Sequence, residues 1–229
     1  AVAAVEAVES LQWDARTYGA IVQQRIGQWE YGRSIGFGNW GVVCQGWHRA
    51  DPASKCAVKV VPLNPLEDAT DLSVEVDMLR RLTHPHIVAL YDVVVLPHFC
   101  CLVLEMLEGG SLFDLVVRRH SAGDPLTEQE VRQYAWPIAS ALHHMHSLGI
   151  LHRDVKLENV MLTADHRVKL VDFGLCKAIG GGTTATLCGT PQYHPPEIRR
   201  GEPYSYPFDA WGLGTTLYAL ATLKYPQFG

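Results

Sequence analysis

Three glycines in IGFGNWGVV, residues 35–43, have the spacing G-x-G-x-x-G, which suits a backbone that must approach phosphate groups closely. Two unrelated folds use this spacing for nucleotides. In a dinucleotide-binding domain, the glycines follow a strand and open a helix whose N-terminus holds a pyrophosphate. In the other arrangement, they form a turn between two antiparallel strands that covers the phosphates of ATP. A third possibility is a plain turn that needs glycine only for a positive φ angle.

The residues around the glycines favour the arrangement with two antiparallel strands. Val42 and Val43 are β-branched and directly follow Gly41, so we predict that a strand rather than a helix leaves the loop. Short alternating apolar runs extend from Trp29 to about residue 105 and predict further strands of a small antiparallel sheet. The dinucleotide alternative also needs an acidic residue at the end of a following parallel strand, and the sequence offers none there.

Two charged residues lie where the sequence predicts burial. Lys59 is inside the apolar run KCAVKVVPL, which we predict to be a strand. Glu75 shares the helical spacing of Leu72, Leu79 and Leu82 in the next segment, which we predict to be a helix. An unpaired buried charge is expensive, so Glu75 needs a cationic partner.

Beyond residue 105 the pattern becomes mainly helical. The segment EMLEGGS, residues 105–111, contains two glycines and is typical of a linker. Thr127 and Glu130 form a capping box that predicts the start of a long helix. The runs NVML and VKLVDFG, separated by a polar turn, predict a hairpin. The predicted buried stripe of the long helix is Val131, Tyr134, Ile138, Leu142 and Met145.

Composition narrows the class of protein. With 229 residues and 48% hydrophobic content, the chain can form one large domain or two lobes. A net charge of −5 without a Lys/Arg run argues against a nucleic-acid partner. The six cysteines form no C-x-x-C pair, which indicates reduced thiols of an intracellular, cytoplasmic protein. The sequence predicts no membrane-spanning run, and we do not expect the first segment, AVAAVEAVES, to be a secretory signal. His143, His144 and His146 lack a companion carboxylate or cysteine set, which disfavours a metal site there.

Six motifs occur together in one order. They are IGFGNWGVV, AVK (57–59), Glu75, HRDVKLEN (152–159), DFG (172–174) and PPE (195–197). This set resembles the signature of eukaryotic-type protein kinases from about Trp29 to the chain end. The resemblance implies an α+β class and a two-lobed kinase fold. We expect an N-terminal helical extension over residues 1–28, a small antiparallel-sheet lobe with one helix over 29–106, and a mainly helical large lobe over 107–229.

Transfer of a γ-phosphoryl group requires charge neutralisation and in-line positioning more than covalent chemistry. The resemblance implies that Lys59, paired with Glu75, reaches the α- and β-phosphates of ATP. It implies that Asp154 accepts the proton of the substrate hydroxyl and that Lys156 neutralises the migrating phosphoryl group.

The resemblance also implies a site for ATP and Mg²⁺. Asn159 and Asp172 supply oxygen ligands of the kind that Mg²⁺ prefers. Leu104 would lie at the back of the adenine pocket, with Glu105 and Leu107 offering backbone hydrogen bonds, although the apolar residues are equally compatible with a plain core. The expected nucleotide-binding residues are Ile35, Gly36, Phe37, Gly38, Asn39, Trp40, Gly41, Val42, Val43, Ala57, Lys59, Leu104, Glu105, Leu107 and Met161. His152, Phe173 and Leu79 resemble members of an internal hydrophobic stack.

The acceptor class follows from the same resemblance. HRDVK and CGTPQY (188–193) are similar to serine/threonine kinases, with Thr190 expected to bond Asp154 and Lys156. The implied partners are protein substrates with Ser or Thr acceptors. Ser111 stands where many related kinases carry a Glu that holds the ribose and a substrate arginine. A preference for basic substrates is therefore open, with Glu158 as a partial anchor.

A regulatory site is expected in the glycine-rich loop GGGTTAT, residues 180–186. Arg153 and Lys177 could form a basic pocket for a phosphate on Thr186, added by an upstream kinase or by self-phosphorylation. The alternative is that the loop threonines are ordinary polar residues.

A catalytically weak pseudokinase or interaction module is the alternative function. Degenerate kinases commonly lose one of the positions on which catalysis depends. All of these positions are retained here, namely Lys59, Glu75, Asp154, Asn159 and Asp172. In the family the Glu of PPE, here Glu197, pairs with an Arg on a late helix. We therefore expect the gene product to continue beyond Gly229.

Overall fold

The computed structural model describes residues 24–38, 41–63, 69–97 and 99–226. The loop residues Asn39 and Trp40 lie outside these ranges, as does most of the predicted N-terminal helix. The end of that predicted helix is wrong, because Gln24–Ile26 is a strand that pairs antiparallel with the residues after a tight turn. Contacts divide the chain into two units, residues 1–64 with 90–106 and residues 65–89 with 107–229.

The first unit contains a six-stranded sheet in the order β1-β2-β3-β4-β6-β5, in which every neighbouring pair is antiparallel. β-Branched and aromatic residues favour this extended backbone, as the alternating pattern predicts. The strands are β1 (Gln24–Ile26), β2 (Trp29–Gly38), β3 (Gly41–His48), β4 (Asp51–Pro62), β5 (Leu90–Val95) and β6 (Phe99–Glu105).

The glycine motif lies on a β-hairpin. Gly36 pairs with Val43, and Gly38 pairs with Gly41, so the strand predicted after the loop is confirmed. A helix does not follow the glycines, which removes the dinucleotide arrangement. At Gly41 the backbone runs so close to β4 that an added Cβ atom would lie 2.1 Å from the carbonyl oxygen of Val60. A larger residue would push the two strands apart.

The core face of the sheet is apolar and contains three thiols. Tyr31, Val58 and Cys101 are almost completely buried there, in one cluster with Cys44 and Cys56. All six cysteines of the chain are free thiols. Burial, with smaller contributions from neighbouring thiols, raises the pKa of Cys101 to about 12, so this thiol stays protonated and unreactive.

The helix α1 (Ala69–Arg81) belongs by its contacts to the second unit. The amide of Val88 donates to the carbonyl of Leu170 (3.0 Å), and the Leu170 amide donates to the carbonyl of His86 (2.8 Å). These bonds fasten the segment after α1 to the second unit, whereas we expected residues 65–89 in the small lobe. The lobe boundaries that the resemblance implies, 29–106 and 107–229, remain a prediction. Glu75 is buried beside Leu79, as the helical spacing predicts.

Capping explains where the long helices of the second unit begin. Thr127 accepts from the amide of Glu130 (3.3 Å), and the Glu130 carboxylate accepts from the amide of Thr127 (2.7 Å), so the predicted capping box is confirmed. Ile138, Leu142 and Met145 of the predicted stripe are buried, and its other two members are half-buried. The helices are α2 (Leu112–Ala122), α3 (Glu128–Ser147), α4 (Pro196–Arg199) and α5 (Pro207–Thr222).

Short strands and two 3₁₀ turns complete the second unit. The predicted hairpin is confirmed, since Val160 pairs with Leu170. The strands are β7 (Ile150–Leu151), β8 (Val160–Leu162), β9 (Val168–Leu170) and β10 (Lys177–Ala178), and the turns are Leu157–Asn159 and Pro191–Tyr193.

The helix α5 is apolar on most sides, and Asp209 is its single charged residue. Phe208, Thr216 and Leu220 are buried on this helix. Among the helices in the described part of the chain, none has both the length and the apolar character needed to cross a membrane.

Candidate active site

The loop HRD, residues 152–154, is fastened to α5 by one carboxylate. The amides of His152 and Arg153 donate to Asp209 (2.9 and 2.8 Å), and the Nε2 atom of His146 lies 2.8 Å from the same carboxylate. Asp209 is 0% exposed. Arg153 adopts a left-handed φ of 69°, which is rare for a non-glycine residue and is maintained by these bonds.

Asp209 was missed by the sequence interpretation. The signal was available: a lone carboxylate inside the apolar helix PFDAWGLGTTLYALAT must find donors, by the same argument that we applied to Glu75.

The carboxylate of Asp154 is buried and held on both oxygens. Its Oδ1 accepts from the hydroxyl of Thr190 (2.8 Å) and from the Thr190 amide (3.1 Å). Its Oδ2 accepts from the amide Nδ2 of Asn159 (2.8 Å) and forms an ion pair with Nζ of Lys156 (2.7 Å). Lys156 also donates to the Thr190 hydroxyl (2.8 Å), so the expected contacts of Thr190 are confirmed.

These contacts decide the charge of Asp154. Burial on its own raises the pKa of this carboxyl, but the hydrogen bond and charge of Lys156 and the hydroxyl of Thr190 lower the pKa below its ordinary value. Asp154 is therefore a carboxylate at neutral pH, able to orient a hydroxyl group and accept its proton.

Asn159 and Asp172 lie at one end of the β8–β9 hairpin. The Val171 amide donates to the carbonyl of Asn159 (2.9 Å). Asp172 directly follows Val171, so this bond brings the two predicted metal-binding residues close together along the backbone. The side-chain Nδ2 of Asn159 is used by Asp154, which leaves the amide oxygen as its ligand atom. A carboxylate and an amide oxygen suit Mg²⁺, which takes its other ligands from phosphate and water.

Asp172 resembles Arg153 in its backbone, with a left-handed φ of 63°. The next residue, Phe173, is buried and contacts the ring of His152 edge-on at 5.3 Å between ring centres. Leu79, the third residue expected in the hydrophobic stack, is also buried. The DFG and HRD segments therefore support each other within the second unit.

Lys59 occupies the face of the sheet opposite the apolar core. Its cross-strand neighbours are Val43 and Leu102, and Ala57 on the same face pairs with Leu104. Lys59 is only 7% exposed, so most of its side chain is screened from water. The predicted residues Val43, Ala57 and Leu104 thus share one surface with Lys59, and Glu105 ends the neighbouring strand.

Val42 is a correction to the predicted nucleotide site. Successive residues of a strand point to opposite faces, so Val42 enters the apolar core, where it is 1% exposed and pairs with Val60. Its side chain therefore points away from the face that Val43 shares with Lys59.

The other predicted residues are divided between the two units. Ile35 is exposed on β2, and Gly36, Phe37 and Gly38 form the hairpin backbone before the loop tip. Glu75, Leu107 and Met161 belong to the second unit. Met161 pairs with Lys169 in the hairpin and bridges to Ser111.

Two of the histidines at the end of α3 have structural partners. The ring of His144 stacks on that of His84 at 5.2 Å, and His146 bonds Asp209. Within the described ranges, no group of three or more His, Cys, Asp or Glu side chains is arranged to hold a metal ion.

Comparison with known proteins places this geometry in a family. The sequence model for the protein kinase domain matches residues 29–229. The chain is 37% identical over 197 residues to the maternal embryonic leucine zipper kinase of Danio rerio, covering 84% of this chain and 28% of that protein. It is 34% identical over 209 residues to the serine/threonine-protein kinase SIK2 of Gallus gallus, covering 90% of this chain and 26% of that protein.

A third relative is the NUAK family SNF1-like kinase 2 of Rattus norvegicus, which is 35% identical over 207 residues, or 88% of this chain and 32% of that protein. The chain thus spans roughly a third or less of the length of these curated relatives. The match to the domain model runs through both units and includes the held carboxylate of Asp154, so the chain belongs to the protein kinase domain family.

Proposed function

We propose that this chain is the catalytic part of a serine/threonine protein kinase that transfers the γ-phosphate of ATP to Ser or Thr hydroxyls of protein substrates. The observation that carries the proposal is the buried Asp154 carboxylate, held by Lys156, Asn159 and Thr190 at 2.7–2.8 Å. A relative whose name states serine/threonine-protein kinase, SIK2 of Gallus gallus, supports the acceptor class. The chain would act inside the cell, where its free thiols stay reduced.

In this proposal each charged residue has one task. The acceptor hydroxyl loses its proton to Asp154 as its oxygen bonds to the γ-phosphorus and the bond to the β-γ bridging oxygen breaks. Lys156 would neutralise charge on the migrating group, and Lys59 would bind the α- and β-phosphates. The kinase resemblance implies Glu75 as the partner of Lys59. Mg²⁺, held by Asn159 and Asp172, would neutralise the phosphate oxygens.

The adenine would lie against the sheet face that carries Lys59. Val43, Ala57 and Leu104 share that face, and Ile35 lies on the neighbouring strand. For the backbone groups of Glu105 and Leu107 and for Met161 we keep the adenine-binding role that the kinase resemblance implies. The backbone of residues 36–43 would cover the phosphates. Val42 would take part in this through its backbone and not through its side chain.

Ser111 has a structural task that limits its role in substrate recognition. Its hydroxyl donates to Asp114 (2.7 Å) and accepts from the Asp114 amide (3.1 Å), which caps helix α2. It cannot provide the carboxylate that a substrate arginine would need. Glu158 is exposed beside the catalytic loop and can offer a carboxylate there. We infer a weak rather than strict preference for basic residues before the acceptor.

Incubation of the chain with labelled ATP, Mg²⁺ and a degenerate peptide library tests the proposed reaction. We expect label on Ser and Thr peptides and none on Tyr peptides. Saturable nucleotide binding without any labelled product would instead favour a pseudokinase.

We further propose that phosphate on Thr186 activates the enzyme, added by an upstream kinase or by the chain itself. Nζ of Lys177 lies 2.9 Å from the hydroxyl of Thr184 and 3.3 Å from that of Thr186. A phosphate adds about −1.5 to −2 charges and three acceptor oxygens. Lys177 would then exchange two neutral partners for a charged one, and Arg153 is the second cation of this region.

Phosphorylation of Thr186 should raise kcat/KM by roughly tenfold or more, since one charge-assisted hydrogen bond contributes about 1.5–3 kcal/mol. Mass spectrometry of the active protein should find phosphate on Thr186, and Thr186→Ala should have the low activity of the unmodified chain. Thr183→Ala, in the same loop and exposed like Thr186, is the control. Active protein with unmodified Thr186, together with a fully active Thr186→Ala variant, would contradict this proposal.

A further inference from the structure

The segment from Thr184 to Cys188 is anchored at Tyr204. The amide of Thr184 donates to the carbonyl of Tyr204 (2.9 Å), and the Tyr204 amide donates to the carbonyl of Thr184 (2.8 Å). The two residues thus form an isolated antiparallel bridge. Glycines 180 and 181, which precede this bridge, have positive φ angles. The bridge is therefore the first backbone anchor after a chain reversal.

The phenol of Tyr204 adds contacts to the same segment. Its hydroxyl donates to the carbonyl oxygen of Thr186 (2.6 Å) and accepts from Nη1 of Arg153 (3.4 Å). The Sγ atom of Cys188 lies 3.6 Å from the same oxygen. One hydroxyl thus joins both ends of the Thr186–Cys188 segment to the arginine that precedes Asp154.

The ring of Tyr204 is fixed independently of its hydroxyl. It is 3% exposed and packs on Phe208 of α5 at 4.7 Å between ring centres, in one apolar cluster with Leu151. Burial, together with the nearby Cys188 group, outweighs the opposing hydrogen bond from Arg153 and raises the pKa of Tyr204 to about 12. The hydroxyl is therefore a proton donor at physiological pH, carried by a ring that is buried against Phe208.

What this anchor positions is Thr190. Gly189 lies between the anchor and Thr190 with a left-handed φ of 84°, and a Cβ atom there would lie 2.4 Å from the carbonyl oxygen of Arg153. The chain therefore runs tightly along the catalytic loop before Thr190 bonds Asp154 through its amide and hydroxyl. Thr190 is only four residues after Thr186, so movement of the chain at Thr186 would disturb the hydrogen bonds between Thr190 and Asp154.

We propose that Tyr204 is a positioning residue that holds the 184–190 segment in its substrate-competent conformation when Thr186 carries no phosphate. The inference rests on the proposed kinase function and adds a specific consequence to it. The tyrosine hydroxyl supplies from inside the protein part of the order that the phosphate would supply from the loop. Its contribution is therefore largest in the unmodified enzyme and smallest after Thr186 is phosphorylated.

The test is Tyr204→Phe in the full chain, which removes the hydroxyl and keeps the packed ring. In phosphatase-treated protein we expect kcat/KM for a peptide to fall roughly three- to tenfold, the equivalent of one hydrogen bond. In protein fully phosphorylated on Thr186, the loss should shrink to less than about twofold. Tyr218→Phe, an exposed tyrosine on α5, is the matched control and should change neither form.

Hydrogen exchange gives a readout that does not depend on activity. The amides of residues 184–188 should exchange faster in unphosphorylated Tyr204→Phe than in wild type, while those of α3 keep their protection. If wild type transfers no phosphate but this difference is present, the kinase proposal fails and the anchor stands. Unchanged exchange, or an equal loss of activity in both phosphorylation states, would overturn the role of Tyr204.

Discussion

Replacing Asp154 with asparagine is expected to lower phosphoryl transfer by about 100-fold or more, because removal of a positioned general base commonly has an effect of that size. An amide cannot accept the hydroxyl proton at neutral pH. It also offers one oxygen where the carboxylate uses two, against Thr190 on one side and Asn159 and Lys156 on the other. Steady-state kinetics with ATP and a peptide substrate measures the loss.

The fold should survive this substitution, since the backbone of the catalytic loop is held from Asp209 rather than from the Asp154 side chain. Circular dichroism melting of Asp154→Asn should show a cooperative transition. Lys59→Met should lose activity to a similar degree through weaker phosphate binding. Asp165→Asn makes the same chemical change in an exposed turn and should be fully active. Near-wild-type turnover by Asp154→Asn would show that the catalytic assignment is wrong.

The pH dependence of the rate gives a second test of the role of Asp154. Its pKa in the folded protein lies below the ordinary value, so the carboxylate is retained while free aspartates begin to protonate. The loss of rate in acid that protonation of this group causes should therefore occur at a pH below the ordinary range for carboxyl groups. The stability that its charge contributes is present above the unfolded pKa and is lost as pH falls through the folded one. Lys156→Met should move this loss of rate to higher pH, because the main group that lowers the pKa is removed.

Replacement of Asp209 should have the largest effect on stability. Asp209→Ala leaves two buried backbone donors, those of His152 and Arg153, and the ring of His146 without their acceptor. Each unsatisfied donor costs about 1–3 kcal/mol, so we expect a loss of roughly 3–5 kcal/mol. That is a large part of the ~5–15 kcal/mol that keeps a typical domain folded.

Urea unfolding measures this loss as a lower midpoint with an unchanged slope. Asp209→Asn keeps one acceptor oxygen and should be less unstable, yet the folded fraction should have a lower kcat because the backbone next to Asp154 is held less firmly. Asp165→Asn is again the control. An Asp209→Ala variant within about 1 kcal/mol of wild type would contradict this expectation.

Local patterns were sufficient for most of the elements. The β-branched pair after Gly41 predicts the hairpin, and the reciprocal caps of Thr127 and Glu130 predict where α3 begins. These signals act between residues within four positions of each other, so they are present in the sequence itself. The strand Gln24–Ile26 was missed because its partner lies across a turn and its own three residues carry no alternation long enough to interpret.

Burial of charge was also predictable in kind. Lys59 and Glu75 lie in apolar periodic runs, and both are buried. The same reasoning would have found Asp209, where we did not apply it. It fails for Val42, since the glycine motif indicates that a strand follows but the motif alone does not say which of two adjacent valines faces the core.

The sequence by itself determined the residue types needed for phosphoryl transfer, their order and the local elements that carry them. Only the tertiary structure decided which groups meet: Asp154 and Thr190 are 36 residues apart, and His152 and Asp209 are 57. Periodicity and capping report on neighbours along one element, whereas these bonds depend on how α5 and the 184–190 segment pack against the catalytic loop. The role of Tyr204 follows from that packing, because the side chain that holds Thr186 and Arg153 lies 18 and 51 residues from them.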